Sequence, residues 1–181
     1  AFEASCGGAE GNVAVSLAVL KDPVSFVTKL PENPVGTAAL NEVRRYGADT
    51  SKVVIGGSRL GIYFFEKGTD IRPTNVVYDR EGSALALAKP EEFHWDEILK
   101  DTDIFYFSGV TPAVSENIAK AVLEALKYCK AHGIETVCDL NYRSKMWDTK
   151  KAQSVMSELM NYVTLCIAND EDFESSLGIH A

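Results

Sequence analysis

DIFYFSGVTPAVSENIAKAVLEALKYCKAHGIETVCDL, residues 103–140, reads as strand, loop, helix, strand. Residues 103–107 are almost entirely aromatic or β-branched, as a buried strand requires. Over 115–132 the apolar residues fall on one helical stripe: Ile118, Ala121, Val122, Ala125, Leu126 and Cys129. Gly133 supplies the left-handed stop. Residues 134–140 return to an apolar strand. Two strands joined by a helix of this length run parallel, and the crossover is right-handed.

Working outward, the alternation continues on both sides. Downstream, Ala152, Val155, Met156, Leu159 and Met160 mark another helix, 163–168 a strand, and 169–177 a short helix. Upstream, a helix from about residue 12 to 20 follows a glycine pair. Residues 24–30 read as a buried strand. Glu32-Asn33-Pro34 opens a second helix, with Ala38, Leu40, Val43 and Tyr46 on its face and Gly47 as its stop. The middle differs. Segments 52–55, 60–66 and 75–78 are short, β-branched or aromatic, and separated by glycine turns, so they predict a small antiparallel sheet inserted over about 52–89. The expectation is an α/β fold with about four parallel strands and open edges. It begins on a Gly-Gly loop with no strand ahead of it and stops one βα unit short, so it is expected to be incomplete at both ends.

Composition bounds the function. A net charge of −8 over 181 residues disfavours a nucleic-acid surface or an anionic membrane, both of which call for clustered Lys and Arg. The longest apolar runs fall well short of the ~20 residues that span a bilayer, and Ala1-Phe2-Glu3 lacks the basic start of a signal peptide. Cys6, Cys129, Cys138 and Cys166 form no CxxC pair, and His94, His132 and His180 have no metal-ligand spacing. Reduced thiols in a cytoplasmic protein are expected.

Three places combine loops with chemically useful residues. Cys6-Gly7-Gly8-Ala9-Glu10-Gly11-Asn12 leads into a helix, where glycine lets a ligand approach backbone N–H groups. It matches neither the dinucleotide nor the Walker fingerprint, so a nicotinamide-dependent oxidoreductase is disfavoured. Tyr63, Tyr78 and Arg80 sit near hairpin strand ends. They could grip a hydroxylated carboxylate, since Arg binds carboxylates bidentately; sheet packing by the tyrosines and a solvated Arg80 is the other reading. Asp139-Leu140-Asn141-Tyr142-Arg143 lies just past a strand's carboxyl end, where open α/β sheets bind ligands; ordinary surface-loop polarity is its alternative.

Together these stretches resemble a known family. Gly7-Gly8-Ala9-Glu10-Gly11-Asn12-Val13-Ala14 resembles the first signature of PfkB (ribokinase-family) carbohydrate kinases. Ser108-Gly109-Val110-Thr111-Pro112-Ala113, Asp139-Leu140-Asn141-Tyr142-Arg143 and Tyr78-Asp79-Arg80-Glu81-Gly82-Ser83-Ala84 are similar, in order, to motifs of the 2-keto-3-deoxygluconate kinases. The resemblance implies a ribokinase-like three-layer fold with a mostly parallel sheet and a small β lid, 1–181 forming part of one kinase domain.

It further implies phosphorylation of a sugar acid at its terminal hydroxyl, with ATP and Mg2+ and with a monovalent cation as a further candidate. Gly8 and Asn12 would meet sugar hydroxyls. Tyr63, Tyr78 and Arg80 would hold the keto-acid. Arg143 would stand between sugar and phosphates as the catalytic cation, and Asn141 and Asn169 would lie near the nucleotide. The N-x-x-E motif departs from the family at Asn169-Asp170-Glu171-Asp172, leaving Glu171 and Asp172 as candidates on the metal side through water, with no direct metal ligand. The second signature, which carries the catalytic Asp and the anion hole, is absent from these residues, so the 181 residues alone are expected to be inactive. A kinase for another sugar such as fructose, and a non-catalytic sugar-acid binding module, are the competing readings. The lid implies a homodimer.

Overall fold

The computed structural model describes residues 3–180; Ala1 and Phe2 of the opening segment and Ala181 lie outside it. In chain order the elements are α1 (Ala9–Leu20), β1 (Lys29–Leu30), α2 (Pro34–Arg44), β2 (Val54–Ile55), β3 (Ile62–Glu66), β4 (Asn75–Asp79), α3 (Trp95–Ile98), β5 (Ile104–Ser108), α4 (Glu116–His132), β6 (Glu135–Asp139), α5 (Thr149–Met160), β7 (Leu165–Ile167) and α6 (Asp170–Leu177). A 3-10 turn at Pro90–Glu92 precedes α3.

The β5–α4–β6 unit forms as the sequence predicts. Ser115 caps α4 by accepting from the Ile118 N–H, and Gly133 ends it at φ 70°. The stripe Ile118, Ala121, Val122, Ala125, Leu126 and Cys129 is buried. β5, β6 and β7 pair in parallel in that order. Two right-handed crossovers stepping the same way put α4 and α5 on one face, and the two helices touch. Between them and the sheet lies the main core of Phe107, Val122, Leu126, Cys138, Leu140, Met156 and Leu159. Asp148 caps α5 and Asn169 caps α6, so the starts of α4, α5 and α6 are each set by an Asx or Ser residue at the end of a strand-end loop.

Three expectations change. The parallel strands do not form one ladder: among the described residues β1–β2 and β5–β6–β7 are separate hydrogen-bonded blocks. Segment 52–55 does not join the hairpin sheet. Val54 and Ile55 pair in parallel with Lys29 and Leu30, because the 24–30 segment runs beside 49–56 through bonds such as Asp49 N–H to Val24 O and Gly56 N–H to Leu30 O. Gly57, at φ 85°, then turns the chain away. Finally, α1 starts at Ala9 rather than near residue 12, which brings Glu10 into its first turn.

The antiparallel sheet is therefore the hairpin β3–β4 alone, with Tyr63 opposite Tyr78 and Phe65 opposite Val76. Every residue of β3 is exposed. A lone two-stranded hairpin is marginal in water, and this one is held by ties to the body. Arg59 donates to the carbonyls of Asp79 (3.0 Å) and Glu81 (2.8 Å) and pairs with the Asp79 carboxylate at 2.7 Å. Lys145 donates to the Val76 carbonyl at 2.8 Å.

Candidate active site

Because β5, β6 and β7 are parallel, their carboxyl ends share one edge, and the loops leaving them meet the first turns of α1 and α6. α1 opens at Gly8, whose extended backbone (φ 160°, ψ 147°) carries no side chain to cap the helix. Its first N–H groups therefore face solvent or a ligand, at the end of the helix that favours negative or oxygen-rich groups. The space over Gly8 is open: a methyl group there meets nothing within 4 Å. Gly7 is the reverse, since a methyl there would overlap the Tyr63 hydroxyl. The glycine loop and the hairpin are thus in contact, and a side chain at Gly7 would require the Tyr63 hydroxyl to move.

Above that contact the hairpin presents a cation. The Arg80 guanidinium carbon lies 4.6 Å from the Tyr78 ring centre and 5.8 Å from that of Tyr63, within cation–π range. One of its N–H groups reaches Met146 Sδ at 3.6 Å. Met146 and Lys145 belong to the loop after β6, so that loop, the hairpin and the glycine turn converge.

The β6 end carries the remaining polar groups. Asn141 adopts the left-handed conformation (φ 40°), which Asn tolerates better than most residues. Its amide donates to Asp139 Oδ2 at 3.4 Å. Burial pushes the Asp139 carboxyl up, and the Asp172 and Glu10 carboxylates push it the same way against the hydrogen bonds from Asn141. Tyr106 is pushed up to about 12 by burial and by Asp139 and Glu10. The fold therefore favours protonated Asp139, and the penalty for ionising it sets in as pH rises through the ordinary aspartate range. Asp139→Asn is expected to raise the melting temperature at about pH 7, with the gain fading near about pH 4. Thermal melts at both values check this.

The carboxylates at the β7 end are partly committed. Asn169 Oδ1 accepts from the Asp172 N–H at 2.8 Å, and Asp172 Oδ1 accepts from the Tyr142 N–H at 3.1 Å. Asp at the fourth motif position thus holds the β6 loop in place. Glu171 is exposed. No group of three His, Cys, Asp or Glu side chains among the described residues could hold a metal ion.

Of the residues singled out in the sequence, Tyr63, Tyr78 and Arg80 come together beside the glycine loop. Asn141, Asn169 and Asp172 line the strand-end edge. Asn12 is exposed in the first turns of α1. Arg143 shares the Asn141 loop but is exposed, reaching only the Tyr142 carbonyl at 3.4 Å. Sequence reasoning gave no role to Glu10, Lys145 or Met146. Their partners lie 66 to 101 residues away, so local spacing carries no sign of them. The one hint is an acid in the first turn of a helix that carries no other charge.

Comparison with known proteins gives this geometry a family. The model of the pfkB family carbohydrate kinases matches residues 1–181. A 2-dehydro-3-deoxygalactonokinase of Haloferax volcanii is 36% identical over 178 residues, covering 98% of this chain and 56% of its own. A 5-dehydro-2-deoxygluconokinase of Shouchella clausii is 28% identical, covering 99% and 55%. The crystal structure of 2-dehydro-3-deoxygluconokinase from Thermotoga maritima superposes with a TM-score of 0.97 at 46% identity, over 99% of this chain and 55% of that one. The chain spans about half the length of these relatives. Its architecture is the ribokinase-like α/β fold with a small antiparallel sheet, its relatives are named kinases, and the chain belongs to the pfkB family of carbohydrate kinases.

Proposed function

We propose that the chain carries the sugar half of a kinase that phosphorylates 2-keto-3-deoxygluconate, or a closely similar sugar acid, at its terminal hydroxyl. The observation that carries this reading is Arg80. Arg59 and Arg72 each pair with a carboxylate, whereas Arg80 lies beside two tyrosine rings with, among the described residues, only a thioether for a polar side-chain partner. A part-buried guanidinium left without an acid beside an open glycine turn suits an acidic ligand.

In the proposed complex the sugar carboxylate lies on Arg80, flanked by Tyr63 and Tyr78, and the hydroxyls lie on Gly8, Asn12 and the first N–H groups of α1. The terminal hydroxyl oxygen attacks the γ-phosphorus of ATP, the bond to the bridging oxygen breaks, and ADP departs. Arg143, exposed at the edge, offsets charge that develops on the transferring group. Asn141 and Asn169 serve the nucleotide phosphates. The carboxylates present fit a water-mediated approach to magnesium by Glu171 or Asp172, not direct ligation. The base that takes the hydroxyl proton is expected outside these residues, so the 181 residues alone are expected to give no turnover.

The hairpin's outer face exposes Ile62 and Val77, and a second copy's hairpin is the proposed cover. A sedimentation mass that stays monomeric at high concentration would sink that dimer. A cytoplasmic location, where ATP and reduced thiols coexist, completes the reading; no helix of the described residues is long and apolar enough to cross a membrane.

The test is ADP release by the full-length protein with magnesium-ATP. Turnover of 2-keto-3-deoxygluconate or its galactonate epimer well above that of fructose supports the reading. Preference for fructose, or binding of the sugar acid without ADP release, overturns it.

A further inference from the structure

The start of α1 is joined to the end of β5 by a single carboxylate. Glu10 Oε1 accepts from the Ser108 N–H at 2.9 Å, from Ser108 Oγ at 2.8 Å and from Thr111 Oγ1 at 2.6 Å. The donors lie 98 and 101 residues along the chain. Ser108 is wholly buried at 0% exposure, and its hydroxyl also accepts from the Val110 N–H at 3.3 Å, so the loop leaving β5 is organised around the same point. A carboxylate only accepts, and here all three hydrogen-bond partners donate, against the opposing charge of the nearby Asp139 carboxylate. Charge-assisted bonds of this kind are the stronger ones, and an acid in the first turn is further favoured by the helix dipole.

The location matters more than the strength. Gly8 offers α1 no side-chain cap, and the glycines before it allow the backbone many conformations. The turn that presents Gly8 and Asn12 is therefore intrinsically loose, and the Glu10 bridge is the polar tether described at its start. Ser108 and Thr111 stand on the strand-end edge, one strand from Asp139 and Asn141.

We infer that Glu10 is a positioning residue that sets the glycine turn at the depth from which Gly8 and Asn12 engage the sugar. It touches no reacting atom and acts through the turn it holds. This inference rests on the proposed sugar site, because a turn that meets no sugar has no substrate to position. It concerns one substrate only, since the tether lies between the sugar-facing turn and the β5 loop and involves neither Asn141 nor Asn169.

The test is steady-state kinetics on the full-length enzyme with each substrate varied in turn. Glu10→Ala is expected to raise the sugar KM about tenfold while the ATP KM stays within about twofold. Glu10→Gln keeps an acceptor oxygen for the same donors and is expected to recover most of that loss. Thr111→Val, which deletes one donor and leaves the others, should raise the sugar KM about threefold in the wild type and have no further effect in Glu10→Ala, as expected of groups acting as one unit. An unchanged sugar KM in Glu10→Ala overturns the inference. So does a parallel rise in both KM values that Gln does not rescue, because that marks general loosening. Should Glu10→Ala fail to fold, Thr111→Val alone decides by the same split of sugar KM against ATP KM. Wild-type activity separates the two levels of argument. Turnover of a neutral sugar in place of the sugar acid defeats the substrate assignment, and the Glu10 series then runs on that sugar. Turnover of the sugar acid with Glu10→Ala unaffected defeats the Glu10 inference alone. No turnover of any sugar removes both.

Discussion

Arg80→Ala is expected to lower kcat/KM for 2-keto-3-deoxygluconate by about 100- to 1,000-fold in the full-length enzyme. A bidentate, charge-assisted contact to a carboxylate contributes roughly 3–4 kcal/mol when it is shielded from water. Arg80 is set up for such shielding, with the Tyr78 and Tyr63 rings within cation–π range on one side and the loop after β6 beside it through Met146. Arg80→Lys keeps the charge but loses the planar fork and is expected to recover only part of the activity. Residual activity on fructose should be insensitive to either change, because a neutral ketose presents nothing for the guanidinium to grip. Equal losses on both substrates would mean that Arg80 holds the hairpin rather than the carboxylate. Full activity of Arg80→Ala on the sugar acid would remove the substrate assignment altogether.

Gly109→Ala is expected to destabilise the protein by about 3 kcal/mol or more, an overpacking cost at the upper end of the usual range. The Gly109 N–H donates to the Asp139 carbonyl at 2.8 Å, continuing the β5–β6 ladder past its end. A methyl at this position would overlap the Leu140 carbonyl oxygen, and Leu140 is itself fully buried. Backbone meets backbone there, so no side-chain rotation relieves the clash and the two strand ends must part. At roughly 2–4 °C per kcal/mol for a domain of this size, the melting temperature should fall by about 6–12 °C. Gly8→Ala is the informative control. Open space and an extended backbone at Gly8 leave the fold intact, so its melting temperature should hold while sugar binding weakens. A normal melt for Gly109→Ala would refute the close approach of β5 and β6 at that point.

The contrast between those two glycines also marks what was readable in advance. Gly8 stood out because it sits in a motif leading into a helix, and Arg80 because it ends a hairpin strand beside aromatic residues. The β5–α4–β6 unit was legible for a similar reason: its stripe, its Ser115 cap and its Gly133 stop are all local signals. Where a partner is distant, such signals fail. Val54-Ile55 is a short β-branched run that fits a hairpin or a parallel pair equally well. Only its contact with Lys29-Leu30 decides, and no periodicity encodes that pairing. Glu10 likewise reads as an ordinary first-turn acid until Ser108 and Thr111 are brought to it. The division of the parallel strands into two blocks was hidden for the same reason, since strand count is local and strand adjacency is not.

The hairpin that bears Tyr63, Tyr78 and Arg80 contributes nothing to the buried clusters of the body. Substitutions on such a surface usually alter folding stability by no more than about 0.5 kcal/mol, while on the proposed function those facing the glycine turn would alter what can be held there. On that proposal, mutation can sample new ligand preferences in β3 and β4 while the β5–β6–β7 body stays as it is. If the hairpin chooses the substrate as proposed, a lineage built on this plan can change its diet by drift in about ten residues, and the separation between the part that chooses and the part that folds leaves that route open.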